Sequence, residues 1–231
     1  MSRVMSEAET QTLNGVVEYF KLDPRGLYPP VTRRLPIEIP NTGRGDLALL
    51  FKHLGFKVGA EIGVELGHYS EILARRNPGV HLYCVDAWQT WESYREHVRQ
   101  AKLDAYYEQV VERMKPFNAT VIRKFSVDAA KDFKDRSLDF CYVDAAHDFL
   151  SVTMDLVSWL PKLRSGAVIG GHDFCRRTDM HGKQRYVVHV EEVIMAWTQA
   201  HHVAPWFLLG RKECVEGETR DRPRSWFWVV P

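Results

Sequence analysis

The sequence predicts an α/β fold: a doubly wound, Rossmann-like, mostly parallel seven-stranded sheet with an antiparallel hairpin at its C-terminal edge. Three observations carry that expectation. From residue 46 onward, short apolar runs alternate with segments of helical period. Five of those runs are followed by a helical segment or a polar loop, the arrangement of parallel strands joined by crossovers. The last two runs, "APWFLLG" and "SWFWVV", are joined by the charged turn "RKECVEGETRDRP" without a helix, so they can pair antiparallel.

The elements follow in order. Ser6 and Glu9 make a capping box, and Leu13, Val16, Val17 and Phe20 mark the apolar face of a first helix. Residues 23–45 are rich in Pro, Gly and Arg and are expected to be irregular and extended. "DLALLFKHLG" reads as a short helix, "KVGAEIG" as a strand, "HYSEILARRN" as a helix and "VHLYCVDAW" as a strand. A long helix is expected over residues 91–114, with Tyr94, Tyr106 and Tyr107 on one side. "ATVIRKF" and "LDFCYVDA" are strands around the short helix "SVDAAKDF". Phe149, Val152, Leu156 and Leu160 share a face of the next helix, and "GAVIGG" is the fifth strand. "HDFCRRTDMHGKQRY" is expected to be a polar loop, and Val190, Val193, Ile194 and Trp197 give the last helix its apolar side. The aromatic residues Trp206, Phe207, Trp226, Phe227 and Trp228 are expected in the core of the final strands.

Composition narrows the function classes. The chain has 231 residues, 45% of them hydrophobic, enough for one full core. No apolar run reaches the length of a membrane span, so no membrane partner is expected. "MSRVMSEAET" lacks the basic-then-apolar plan of an export signal, which points to a cytoplasmic protein. A net charge of +1 argues against nucleic acid as the partner. Cys84, Cys141, Cys175 and Cys214 show no C-x-x-C spacing, and the first two lie in strand runs as small buried hydrophobes, as in a reducing compartment.

Ligands of doubly wound sheets bind beyond the carboxyl ends of the strands. Gly63 to Gly67, Asp86, Ser126, Asp144 and His172 all fall there. Gly63 and Gly67 let the chain turn tightly before a helix. A dinucleotide fingerprint would read G-x-G-x-x-G, whereas this turn reads G-x-x-x-G with Glu65 inside it and Glu61 before it. Two carboxylates suit a ligand with positive groups better than a pyrophosphate.

"EIGVELG" resembles the first motif of class I S-adenosylmethionine-dependent methyltransferases. "YCVDAW", "SVDAA", "YVDAAHDF" and "GGHDF" follow in that family's order and are similar to the branch called methyltransferase family 24. The resemblance covers residues 46–231, with residues 1–45 as an N-terminal helix and an extended lid or linker. It implies S-adenosyl-L-methionine as cofactor and a small-molecule or sugar hydroxyl as methyl acceptor. By position, Glu61, Gly63 and Gly67 would hold the methionine part of the donor, and Tyr69 would close the pocket. Asp86 would accept the ribose hydroxyls, Ser126 and Val127 would flank the adenine edge, and Asp144 would sit near the methyl group. Glu65 replaces the commoner middle glycine, and Ala145 and Ala146 stand where the branch often has Gly and Asp.

Alcohol methylation needs a proton acceptor. His147 or His172 would be the general base, with Asp144 beside it. Alternatively Asp144, His172 and Asp173 would collect a divalent metal such as Mg2+, since some related sugar O-methyltransferases place acidic ligands there. His181, His189, His201 and His202 match no metal spacing, and Arg33, Arg34 and Arg44 read as a solvated loop that could grip an anionic acceptor. Two competing readings are a NAD-dependent oxidoreductase, which would use Asp86 in the same way, and a non-catalytic adenosylmethionine-binding module. The N-terminal segment would serve as a lid or as a contact between copies in a homo-oligomer.

Overall fold

The computed structural model describes residues 4–28, 35–91, 99–181, 184–213 and 215–231, and over them the expected alternation of strands and helices is present. The strands are β1 (Ile37–Ile39), β2 (Val58–Ile62), β3 (His81–Asp86), β4 (Ala119–Arg123), β5 (Leu138–Val143), β6 (Leu163–Phe174), β7 (Arg177–His181), β8 (Gln184–Val188), β9 (Phe207–Leu209) and β10 (Arg224–Val229). The helices are α1 (Glu7–Phe20), α2 (Arg44–His53), α3 (His68–Arg76), α4 (Gln100–Met114), α5 (Ser126–Ala130), α6 (Phe149–Trp159) and α7 (Val190–Ala200). Arg33, Arg34, Tyr94 and Cys214 lie outside the described residues, as do residues 92–98 of the long helix expected over 91–114.

The main sheet has the order β1-β9-β10-β6-β5-β2-β3-β4. Strands β2 to β6 pair in parallel, and β10 runs antiparallel between β6 and β9. The chain first builds outward from β2 through β3 to β4, then returns to build outward through β5 and β6. The reversal falls between β2 and β5.

Helices cover both faces. Leu13 and Val16 of α1, Leu47 and Phe51 of α2, Leu73 of α3 and Val110 of α4 pack with Phe140 and Tyr142 in one apolar cluster. Ala129 of α5, Val152 and Leu156 of α6 and Val193 and Ile194 of α7 pack with Cys141 and Val143 in the other. Alternate residues of β5 thus supply opposite cores, as a pleated strand buried on both faces requires. Trp206, Phe207, Trp226, Phe227 and Trp228 are all buried, as expected.

Three local expectations are corrected. The sheet has eight strands rather than seven, because Ile37–Ile39 within the expected irregular segment pairs in parallel with β9. Pro36 and Pro40 bracket this strand, confining it to three residues at an edge, where missing N–H donors cost no ladder bond. The expected loop after "GAVIGG" is also more ordered: β6 continues to Phe174, and β7 and β8 form an antiparallel hairpin in a separate sheet. Finally, Phe149 is exposed rather than part of the buried face of α6, which is Val152, Asp155, Leu156 and Trp159. Asp148 caps that helix, accepting from the Leu150 and Ser151 N–H groups at 3.1 Å each, and so fixes where its first turn begins.

Candidate functional site

The carboxyl ends of β2, β3 and β5, the residues after β4 and the last residues of β6 wall one cavity of about 870 Å³. Glu61, Gly63, Tyr69, Asp86, Ser126, Val127, Asp144, His147, His172 and Asp173 all line it. Of the residues expected at the site, only Gly67 is not in its wall; its positive φ of 71° lets it cap α3 instead.

The turn after β2 is held from outside. Asp86 Oδ2 accepts the N–H groups of Val64 at 2.9 Å and Glu65 at 3.0 Å, and Asp86 Oδ1 accepts that of Trp88 at 2.9 Å. Trp88 Nε1 donates back to the Glu65 carbonyl at 2.8 Å. Glu65 adopts a positive φ of 50°, a conformation that side chains normally avoid. Gly63 has a φ of 88°, and a Cβ there would stand 2.0 Å from the Asp144 carbonyl oxygen. No side chain fits at that position.

Glu61 is buried, and its carboxylate accepts a short hydrogen bond from the Ser70 hydroxyl. Burial raises its pKa to about 8, against the Ser70 hydrogen bond and Arg44, with Asp144 and Asp86 adding to the rise. Arg44 is the one lysine or arginine lining the cavity among the described residues. Its guanidinium lies 3.5 Å from Asp144 Oδ2 and 5.4 Å from the Tyr69 ring centre. Tyr69 donates its hydroxyl to the Arg44 carbonyl at 2.9 Å, which ties α3 to the start of α2.

At the far wall, β5 and β6 bring two acids and two histidines together. His147 Nε2 lies 2.7 Å from Asp173 Oδ2 and 3.6 Å from Asp144 Oδ1. His172 Nδ1 stands 3.5 Å from Asp173 and 3.9 Å from Asp144, while its buried Nε2 has no hydrogen-bond partner among the described residues. Burial would lower the His147 pKa, but hydrogen bonds and charge from Asp144 and Asp173 outweigh it and raise it to about 10. Burial pushes the Asp173 carboxyl up, but hydrogen bonds and charge from His147 and His172 outweigh it and hold it far below its usual range. Atoms of Asp144, His147 and Asp173 that can ligate a metal all lie within 4.8 Å of one another. That group has His147 where the sequence suggested His172.

Ser126 is already engaged. Its hydroxyl donates a short hydrogen bond to Asp155 and accepts from Trp159 Nε1 at 2.9 Å. Among the polar lining residues, Asp155 was missed by sequence reasoning, and Arg44 was expected only as part of a solvated loop. Asp155 interrupts the apolar stripe Val152, Leu156 and Trp159 at helical spacing, a signal that could have drawn attention to it. Arg44 had no comparable mark, since three arginines share its segment. His189 and His201 instead make local contacts, with the Phe149 N–H and the Trp197 carbonyl.

Residues 60–174 match a family described as "Methyltransferase domain". That segment is a methyltransferase domain. Solved structures with the same fold include the O-methyltransferase TomG from Streptomyces achromogenes in complex with SAM, 16% identical with a TM-score of 0.52, over 98% of this chain and 91% of that one. The N-methyltransferase NodS from Bradyrhizobium japonicum WM9 is 15% identical with a TM-score of 0.51, over 81% of this chain and 94% of that one. An uncharacterized protein y4gI of Sinorhizobium fredii is 24% identical over 167 residues, 70% of this chain. The chain spans only 17% of the length of that curated relative. Among the described residues, no helix is long and apolar enough to cross a membrane.

Proposed function

We propose that the protein transfers the methyl group of S-adenosyl-L-methionine to a hydroxyl of a small molecule or sugar. The observation that carries this reading is the convergence of Glu61, Asp86 and Asp144 with the His147–Asp173 pair on one cavity. Glu61 and Asp144 suit the ammonium and sulfonium of the donor, and Arg44 suits its carboxylate. Asp86 keeps lone pairs for the ribose hydroxyls beyond the three backbone donors it already serves. The family match favours this donor over the NAD alternative.

Methyl transfer is an in-line displacement, so most of the acceleration comes from holding nucleophile, methyl and sulfur in line. A hydroxyl must also lose its proton, whereas a neutral amine attacks as it stands. The His147 imidazole, with Asp144 and Asp173 beside it, supports an acceptor of the first kind, because only the hydroxyl needs a proton acceptor. Once neutral, His147 takes the hydroxyl proton, and Asp144 and Asp173 stabilise the resulting imidazolium.

A second reading rests on the Asp144, His147 and Asp173 group. Two carboxylates and an imidazole within 4.8 Å fit a divalent ion such as Mg2+ or Mn2+. Such an ion would lower the pKa of a bound hydroxyl.

Isothermal titration with S-adenosylmethionine, S-adenosylhomocysteine and NAD tests the donor. Micromolar binding of the two adenosyl ligands, weakened about tenfold or more by Asp86→Ala, is the expected result. Binding of NAD alone would overturn the proposal. An acceptor screen with and without magnesium then separates the two ways of activating the hydroxyl.

A further inference from the structure

Asp155 is a carboxylate in an apolar helix face, and nothing in the transfer chemistry above uses it. It is 3% exposed, between Val152 and Leu156, and it lines the cavity. An acid so placed is costly unless donors meet it. The donor it meets here is the Ser126 hydroxyl, through Oδ1 alone.

The Ser126 hydroxyl has one proton and two lone pairs. The proton goes to Asp155, and one lone pair takes the Trp159 indole N–H. Ser126 has no proton left for a ligand. Asp155 is the member of this pair with acceptor capacity to spare on the cavity side. The cavity that Asp155 lines also carries the apolar side chains of Met154 on α6, Ala87 and Trp88 after β3, and Phe125 before α5.

Resting on the donor reading above, we propose that Asp155 is the specificity-determining residue for the donor's base, accepting from the 6-amino group of adenine. Ser126 then acts as a positioning residue that holds the carboxyl in place. A 6-amino purine offers N–H donors to Asp155. A 6-oxo purine would turn an acceptor toward it, leaving two acceptors face to face. Trp159 belongs to the same unit, because its N–H orients the Ser126 hydroxyl toward Asp155.

Burial raises the Asp155 pKa to about 7; the Ser126 hydrogen bond opposes it, Asp148 adds to it and the charge of His147 opposes it. Selectivity is therefore measured at pH 8.5, where the carboxylate is ionised. S-adenosylhomocysteine and S-inosylhomocysteine are titrated into the wild-type protein and into Asp155→Asn and Ser126→Ala. Wild type should prefer the adenosyl ligand by about tenfold to a hundredfold. Asp155→Asn, whose amide can turn either an acceptor or a donor to the base, should bring the two within about threefold. Ser126→Ala should retain most of the preference.

Equal binding of both ligands to wild type would overturn the proposal without any variant. So would an unchanged preference in Asp155→Asn, or its complete loss in Ser126→Ala alone. Binding of neither ligand would overturn the donor reading itself and this inference with it.

Discussion

His147 Nε2 lies 2.7 Å from Asp173 Oδ2, joining the segment after β5 to the end of β6 by a partly buried ion pair. Breaking one side of such a pair strands the other charge. Asp173→Asn should therefore destabilise the fold by about 3 kcal/mol, and adding His147→Gln should recover part of that loss. Urea unfolding of the single and double variants at pH 7 measures both; strictly additive losses would show that the two side chains are not coupled.

The same pair sets a pH window. The His147 pKa is raised from 6.5 to about 10, so its contribution to stability is complete below about 6.5 and fades as pH rises through about 10. Asp173, held below its usual value of 3.8, contributes above that value and loses its contribution as pH falls further. The stability gap between wild type and His147→Gln should thus be widest between about pH 5 and pH 7 and close toward pH 10.5. A gap that widens in alkali would contradict the assignment.

Catalysis should run the other way. A histidine that is protonated at neutral pH accepts no proton, so the rate of hydroxyl methylation should climb with pH between 7 and 10, unless a bound divalent ion supplies the activation. A pH–rate profile recorded with chelator and with magnesium separates the two cases. A flat profile in chelator would exclude His147 as the base.

Glu61 makes donor binding a proton-linked event. Its carboxyl, raised to about 8, is largely neutral at pH 7, and an arriving ammonium would favour the ionised form. Donor binding should release up to about one proton, giving different heats in phosphate and Tris, and Glu61→Gln should abolish the difference. The raised pKa also means that burying Glu61 costs more stability as pH rises from 4.5 toward 8, so Glu61→Gln should gain on wild type over that range. Equal heats in both buffers would count against Glu61 as the group involved.

Gly63→Ala should cost more than about 2 kcal/mol and remove donor binding, because both the positive φ and the nearby Asp144 carbonyl oppose a Cβ. Gly55→Ala has a positive φ of 68° but nothing within 4 Å, and should retain binding with a smaller loss of stability. Thermal melts and titration of the two variants separate steric from conformational cost.

The sheet was legible because strands buried on both faces read as apolar runs, and their polar ends stood out against them. Glu61, Asp86 and Asp144 were visible for that reason. Strand β1 was hidden because edge pairing needs only three residues, and prolines on either side mimic a linker. The β7–β8 hairpin was hidden because its main-chain pairing leaves no apolar alternation in "RTDMHGKQRYVV". The site was legible one strand end at a time, whereas its pairings depend on depth in the cavity. Nothing in the order Asp144, His147, His172, Asp173 tells which histidine sits closest to Asp173.

The three backbone hydrogen bonds to Asp86 have a consequence for how this turn can vary. Its path is imposed by a side chain on the neighbouring strand, with Trp88 closing the arrangement from the other side. Residue 65 inherits its conformation instead of choosing it, so a glutamate can occupy a place where glycine is common. The tolerance is borrowed from residue 86: changing Asp86 would loosen the scaffold that keeps Glu65 in its unfavourable posture, and a glycine at 65 should matter most in a protein that has already lost that aspartate.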